Sequence, residues 1–246
     1  MKNTLYFILI VFGYSSLTGM QNNIPAARLE WKPLEDLHIT LFSLQPDYAQ
    51  QNFINKNTRA LEALKKQKIK FPLRFPIITL DILVPTKILA GKVFNTSPNN
   101  PRGDSTTFNE LMITNPPSKK KGKHWYLVLT IEPNENNFTL EEFKTLYTQN
   151  FFKNPRNYQF LPHITIAEIT KIYDAKTFLD ALTHINELFI ASTPQTSLEI
   201  KERDLIFKTA SKQHPRNTIM LEINNQQAFH RIKQIQAMFA TFINPK

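Results

Sequence analysis

The sequence predicts an α+β protein with two lobes, each built on an antiparallel sheet with helices packed on its outer face. Short β-branched runs and amphipathic helical segments follow one another along the chain. The two halves present these elements in a similar order, without a strict repeat. With 41% hydrophobic and 20% charged residues over 246 positions, the composition is that of a globular protein able to bury a sizeable core.

The first half is predicted to contain one helix set among strands. Phe53, Ala60, Leu61 and Leu64 form an apolar face on this helix, and lysines stand at its end. The predicted order is a lead-in loop at 22–33, a strand at 37–42, a helix at 48–67, β-branched runs at 76–84 and 87–94, and a loop at 96–103.

The second half is predicted to contain three helices. Thr139 and Glu142 form the Thr-x-x-Glu pattern that opens a helix, and the last helix carries an apolar stripe. The stripe consists of Phe229, Ile232, Ile235, Phe239 and Phe242. The predicted order is a strand at 107–114, a basic connection at 116–123, a strand at 124–132, a helix at 139–150, a strand at 160–168, a helix at 174–188, strands at 197–202, 205–210 and 218–223, and a helix at 226–243.

The N-terminus has the features of a secretory signal peptide over residues 1–20, which leaves residues 21–246 as a single domain. Lys2 precedes a short apolar run at 5–12, and small polar residues follow Gly13. This run is shorter than the roughly 20 apolar residues that span a bilayer. The alternative is a first core strand or helix. We therefore expect an exported protein, periplasmic or secreted, with no stable membrane association once a signal ending near Gln21 is removed.

The overall charge and the missing residue types narrow the function classes. The formal net charge of +10 favours polyanionic partners such as RNA, and an acidic lipid surface is a weaker alternative that rests on charge alone. The chain has no cysteine, which excludes thiol nucleophiles, thiolate metal sites and disulfides. Its five glycines form no dinucleotide-binding fingerprint, P-loop or nucleophile elbow.

Two segments share a His-apolar-Thr-apolar pattern inside predicted strands, at residues 37–41 (LHITL) and 162–166 (PHITI). Two such contexts among six histidines would arise by chance about once in a thousand sequences at average residue usage. Because side chains alternate along a strand, His38 and Thr40 share one face, as do His163 and Thr165. The intervening isoleucines point the other way, into the predicted core.

This residue set suits the hydrolysis of a phosphodiester. Each threonine hydroxyl can donate to a phosphate oxygen, while the imidazoles flank the attacking and leaving oxygens. Histidine titrates near neutral pH, so a neutral base and a protonated acid can coexist in one site. We therefore predict His38 and His163 as catalytic, Thr40 and Thr165 as phosphate-binding, a bell-shaped pH profile, and no requirement for a metal or a cofactor.

The paired motifs resemble those of the 2H phosphoesterase superfamily, in the branch of 2′-5′ RNA ligase-like proteins and cyclic phosphodiesterases. Residues 31–41 are similar to the first family motif with its lead-in, residues 160–167 are similar to the second, and the resemblance covers about residues 30–225. It implies two pseudo-symmetric lobes with an active-site cleft between them. It also implies His163 as the base for water and His38 as the acid, with the roles exchanged in the reverse reaction. The signal-like N-terminus departs from the mostly cytosolic relatives.

The leading expectation is hydrolysis of 2′,3′-cyclic phosphate or 2′,5′-linked RNA or nucleotide substrates by a monomer. A 3′-end RNA-trimming nuclease with the same histidines and a catalytically silent RNA- or nucleotide-binding module remain as alternatives. Further candidate substrate contacts are Phe42, Trp125, Tyr126, Lys119, Lys120 and Lys121, for which core packing or a solvated turn is the competing interpretation. The other histidines lack a threonine partner and are predicted to be structural; they are His124, His184, His214 and His230.

Overall fold

The computed structural model describes residues 25–44, 49–83, 93–94, 108, 112–113, 116–119, 124–131, 138–152, 162–191, 197–209, 216–224 and 226–243. These residues form four helices: α1 (Gln50–Lys66), α2 (Leu140–Phe151), α3 (Ala175–Ala191) and α4 (Gln226–Ile243). They also form nine strands: β1 (Ala27–Trp31), β2 (His38–Ser43), β3 (Leu73–Leu83), β4 (Val93–Phe94), β5 (Trp125–Ile131), β6 (His163–Ile172), β7 (Ser197–Ile200), β8 (Leu205–Lys208) and β9 (Thr218–Glu222). The predicted signal peptide at 1–20 lies outside the described residues.

The strands form two antiparallel sheets of different size. The larger sheet has six strands in the order β1-β6-β5-β3-β4, with β7 paired to the first part of β3. The smaller sheet has three strands in the order β2-β9-β8. The two histidine motifs therefore belong to different sheets, because β2 lies in the smaller sheet and β6 in the larger one.

Each sheet packs against its own pair of helices. The rings of Trp31 on β1 and Phe239 on α4 lie 6.1 Å apart, and Phe239 also contacts Phe178 on α3. Around the smaller sheet, Phe53 on α1 stacks on Phe207 of β8 with ring centroids 5.5 Å apart. The described part of the chain therefore has the predicted α+β class, with helices and antiparallel sheets in packed layers.

Local sequence signals account for the helix ends. The Thr139 hydroxyl accepts from the Glu142 backbone N–H at 2.9 Å, and the Glu142 carboxylate accepts from the Thr139 N–H at 2.6 Å. This reciprocal capping satisfies two donors that the first turn of a helix leaves unpaired, so the predicted start of α2 is confirmed. The bounds predicted for α4 also match the structure.

A buried asparagine bonds to the backbone of β3 between its partner strands β7 and β4. Strand β7 pairs with residues 73–76 of β3 and β4 pairs with residues 82–83, which leaves the backbone of Leu80 between them. The Asn186 side chain on α3 accepts from the Leu80 N–H at 2.7 Å and donates to the Leu80 carbonyl at 2.9 Å. Asn186 is only 3% exposed, so its amide substitutes for a neighbouring strand inside the protein.

Two of the predicted elements are wrong. The lead-in predicted as a loop contains β1, which pairs with β6 along the edge of the larger sheet because Ala27, Leu29 and Trp31 alternate with polar residues. The predicted strand at 107–114 is helical at Phe108 and at residues 112–113, and its other residues lie outside the described part. So do the loop at 96–103 and most of the run at 87–94.

A membrane-spanning helix is absent from the described residues, since none of their helices is both long and apolar enough to cross a bilayer.

Candidate active site

Strand β2 directs its histidine and threonine away from the hydrophobic core. Ile39 and Leu41 are 1% and 2% exposed and belong to the core, whereas His38 is half-buried and Thr40 is exposed. The alternation predicted from the sequence is therefore present over these residues. The buried isoleucine and leucine anchor the strand and fix the face on which His38 and Thr40 stand.

Strand β6 repeats this arrangement in the larger sheet. Ile164 and Ile166 are fully buried in the core, and His163 and Thr165 are half-buried on the opposite face. The pairing of β5 with β6 is irregular next to this motif, because Leu127 faces Ala167 while Val128 faces Thr165. Such a bulge interrupts the alternation of buried and exposed side chains directly after Thr165. The regular alternation therefore covers His163 to Thr165, the motif itself.

Buried residues stand beside both threonines but outside the continuous hydrophobic core. Thr40 lies opposite Met220 on β9, and Thr165 lies opposite Val128 on β5. Met220 is 4% exposed and Val128 is fully buried, yet neither belongs to the core cluster of the described residues. Next to Val128 on β3 stands Asp81, a carboxyl side chain that is only 1% exposed. Beside each threonine, part of the motif face is therefore buried although it does not belong to the core cluster.

The two motif strands lie close together although they belong to different sheets. Cα atoms of β2 and β6 approach within 8 Å of one another. A short connection supports this placement, because the Lys32 N–H, just after β1, donates to the Ile166 carbonyl on β6 at 2.9 Å. The segment 32–37 then leads directly into β2. The chain thus brings together two strands whose motifs are 125 residues apart in sequence.

The imidazole of His38 is oriented by the turn that precedes it. Its Nδ1 lies 2.6 Å from the backbone carbonyl oxygen of Asp36, at the end of a short 3-10 turn. A carbonyl can only accept, so Nδ1 carries the proton in this contact. Glu222 stands opposite His38 on β9 and accepts from the Asn224 amide at 3.0 Å. Sequence reasoning missed Glu222, because only the strand register reveals it.

A second polar cluster occupies the far end of the same face of the larger sheet. His124 Nδ1 lies 2.6 Å from a carboxylate oxygen of Glu168, and the Glu168 backbone is paired with Tyr126. Burial, and after it the negative charge of Glu168, raise the pKa of the Tyr126 phenol above its usual value. The structural role predicted for His124 thus has a defined partner, the carboxylate of Glu168.

The aromatic candidates for substrate contact mostly belong to the core. Phe42 packs against the rings of Tyr147, Phe151 and Phe152 at centroid distances of 6.2, 5.7 and 5.2 Å. The register of β2 and β9 shifts between Thr40 and Phe42, which takes the ring off the face of His38. Trp125 is fully buried in the core. The expected substrate contacts of these two residues are therefore replaced by core packing, whereas Tyr126 remains half-buried at the surface.

The basic connection contributes one described lysine. The Lys119 ammonium forms an ion pair with Glu30 on β1, and both side chains are largely exposed to solvent. This contact lowers the pKa of the Glu30 carboxyl. Lys120 and Lys121, also predicted as substrate contacts, lie outside the described residues.

The remaining histidines stand apart from the motif strands. His184 lies on α3 beside Glu187 and the ring of Phe242, and His230 lies on α4 beside Gln234. His214 lies outside the described residues. Within the described part of the chain, no three or more metal-ligating carboxylates and imidazoles cluster so that they could hold an ion.

Comparisons with protein-family models, with curated protein sequences and with solved structures give no match to this chain.

Proposed function

We propose that the chain is a metal-independent phosphodiesterase that hydrolyses 2′,3′-cyclic phosphate or 2′,5′-linked RNA or nucleotide substrates with His38 and His163. The observation that carries this proposal is the placement of the two His-x-Thr strands. They come from different sheets, lie within 8 Å of each other, and both present His and Thr on the face away from the core. A phosphate held between two such strands can accept from both hydroxyls and face both imidazoles.

The proposal includes two pseudo-symmetric lobes with the active-site cleft between them. Each sheet has its own helix pair, and each contributes one motif strand. The buried positions of Val128 and Met220 outside the core support a cleft in which the two motif faces shield each other's neighbours. This arrangement would keep bulk water away from the scissile bond while leaving the exposed Thr40 accessible to substrate.

The proposed proton path takes the roles of the two histidines from the resemblance to the 2H phosphoesterases. His163 takes a proton from water as the water oxygen forms a bond to phosphorus. The bond from phosphorus to the leaving ribose oxygen breaks, and that oxygen takes a proton from Nε2 of His38. The Asp36 carbonyl holds the other ring proton at Nδ1, which keeps Nε2 directed to the leaving group. Proton loss from one histidine and gain by the other leave the pair ready for exchange with solvent.

The charge and the N-terminus set the proposed context of the activity. A formal net charge of +10 would attract polyanionic substrates and make association sensitive to salt. The proposed signal peptide at residues 1–20 would export the enzyme to the periplasm or the medium, where it would act as a monomer on RNA ends or cyclic nucleotides. Fusion of residues 1–30 to a reporter tests export, and a reporter that stays inside the cell would contradict it.

The test of the proposed activity is turnover of a substrate panel by the full chain in the presence of EDTA. The panel consists of 2′,3′-cyclic mononucleotides and 2′,5′-linked dinucleotides. Thr40→Val removes the hydroxyl with little change in shape, and Thr40→Ser retains it. We expect the valine variant to lose about tenfold or more in kcat/KM and the serine variant to lose much less. Turnover that EDTA abolishes and a divalent metal restores, or no turnover by folded protein, would refute the proposal.

A further inference from the structure

The structure contains a polar pocket that neither histidine lines. It has a volume of about 460 Å³, inside the range of about 300–1,000 Å³ that is usual for small-molecule sites. It lies where the first part of β3 and its partner β7 meet the turn before β8 and the start of α4. Its lining residues are Arg74, Ser197, Glu199, Lys201, Arg203, Asp204, Asn224 and Gln226.

A buried carboxylate oxygen in this pocket lacks a hydrogen-bond donor. Asp204 is 2% exposed, and its Oδ2 accepts from the Lys201 backbone N–H at 2.7 Å. Its Oδ1 is buried and has no partner among the described residues. A buried acceptor left in this state costs about 1–3 kcal/mol, which a ligand that brings an N–H or O–H group would offset. Oδ1 has almost no accessible surface, so a donor on a ligand reaches it when the Asp204 side chain turns toward the pocket.

The rest of the lining favours an anionic group on the same ligand. Glu199 accepts from both Arg74 and Lys201. The hydrogen bond from Lys201 has the larger effect and that from Arg74 the next, and both lower the pKa of the Glu199 carboxyl. Arg203 is exposed and has no carboxylate partner among the described residues. Among the described residues, three cationic and two acidic side chains line the pocket, so the net charge of this lining is positive. Gln226 adds the N-terminus of the 18-residue helix α4, whose backbone dipole also favours an anion.

The pocket adjoins the candidate active site through Asn224 and Glu222. On β3, Phe75, Leu80 and Ile82 are buried in the core, so Arg74 and Asp81 occupy the opposite face, which is the face of Thr165. On the smaller sheet, the Asn224 amide lines the pocket and donates to Glu222, the residue paired with His38. The turn that holds Asp204 precedes β8, two strands from β2, and this separation corresponds to about 10 Å.

We propose that this pocket binds a nucleoside phosphate unit of the substrate, next to the linkage that is cleaved at His38 and His163. The phosphate contacts Arg203 and the neighbouring cations, and a ribose hydroxyl or base amino group donates to Asp204 Oδ1. This inference rests on the proposed function for the class of its ligand. It implies that the substrate has more than one nucleotide, because a second nucleotide would occupy the pocket.

Calorimetric titration of the full chain with adenosine 5′-monophosphate tests the pocket. The protein carries His38→Ala and His163→Ala, so that no turnover disturbs the measurement. We expect Arg203→Ala and Asp204→Asn each to weaken binding by about tenfold or more, since each removes one charge-assisted contact. Arg59→Ala removes the same charge from an exposed position on α1 and should leave binding unchanged.

The titration separates this inference from the proposed function. Adenosine has the donor groups for Asp204 but no phosphate, and inorganic phosphate lacks the nucleoside. Both should therefore bind more weakly than the nucleotide. The proposed binding site would be contradicted if inorganic phosphate bound as tightly as the nucleotide, or if Arg203→Ala bound the nucleotide as tightly as Arg59→Ala. Either result would count even if the enzyme cleaves cyclic phosphates. If the nucleotide binds in a way that depends on Arg203 but the protein cleaves none of the substrates, the proposed binding site stands and the proposed phosphodiesterase activity is refuted. In the active enzyme, Arg203→Ala should raise KM for a 2′,5′-linked trinucleotide but not for a 2′,3′-cyclic mononucleotide.

Discussion

Replacement of Asn186 by alanine should destabilise the fold, because this buried side chain of α3 bonds to the backbone of β3. The side chain makes two buried hydrogen bonds to Leu80, at 2.7 and 2.9 Å. Truncation removes a hydrogen bond from the buried N–H and another from the carbonyl of Leu80, at about 1–3 kcal/mol each. We therefore expect the free energy of unfolding to fall by about 3 kcal/mol. For a chain of this length the loss corresponds to a fall of roughly 6–12 °C in Tm.

Urea unfolding followed by circular dichroism measures this loss, with two variants as controls. Asn150→Ala removes an exposed asparagine from α2 and should cost under about 0.5 kcal/mol. Asn186→Leu fills a similar volume without hydrogen bonds, so it separates the effect of the hydrogen bonds lost at Leu80 from the effect of a cavity. A leucine variant as stable as the wild type would refute the argument, because the amide would then add nothing beyond its volume.

Three further changes test other parts of the structure. Thr139→Ala should destabilise the chain by about 1 kcal/mol in urea unfolding, because it removes the reciprocal cap of α2, whereas Thr241→Ala at an exposed site on α4 should be near neutral. Ile164→Ala should cost about 2–5 kcal/mol by opening a cavity behind the second motif, against under about 1 kcal/mol for the half-exposed Ile54→Ala; similar losses would contradict the assigned core. Because the pKa of Tyr126 is raised in the folded chain, the unfolded chain releases that proton first above about pH 10, so stability should fall there and fall less in Tyr126→Phe; equal losses by both proteins would contradict the pKa shift.

The sequence predicts those elements whose local pattern agrees with their packing. The apolar stripe of α4 buries Ile232, Ile235 and Phe239, and its predicted bounds match the structure. Phe242, the last member of the stripe, is 36% exposed because it lies in the final turn. The His-x-Thr alternation predicts which side of each motif strand faces the core, since Ile39 and Ile164 are buried.

The sequence does not predict features that depend on contacts between distant segments. Strand β1 has no long apolar run of its own and forms because β6 offers it an edge. The partners of the motif residues are equally non-local, because Glu222 meets His38 only through the register of β2 with β9. Phe42 follows Thr40 at the spacing of the same face, yet a local register shift brings it against the rings of α2.

The most direct test of the proposed mechanism is a double-mutant cycle on the two histidines, with a substrate identified in the panel. If His38 and His163 act as one acid-base pair, His38→Ala and His163→Ala should each lower kcat/KM by about 10²–10⁴. The double variant should then lose little more than either single variant, because the removal of one partner already disables the pair. His230→Ala, at an exposed position on α4, should retain full activity. Single variants that retain more than about a tenth of the wild-type kcat/KM, or losses that multiply in the double variant, would contradict the two-histidine mechanism.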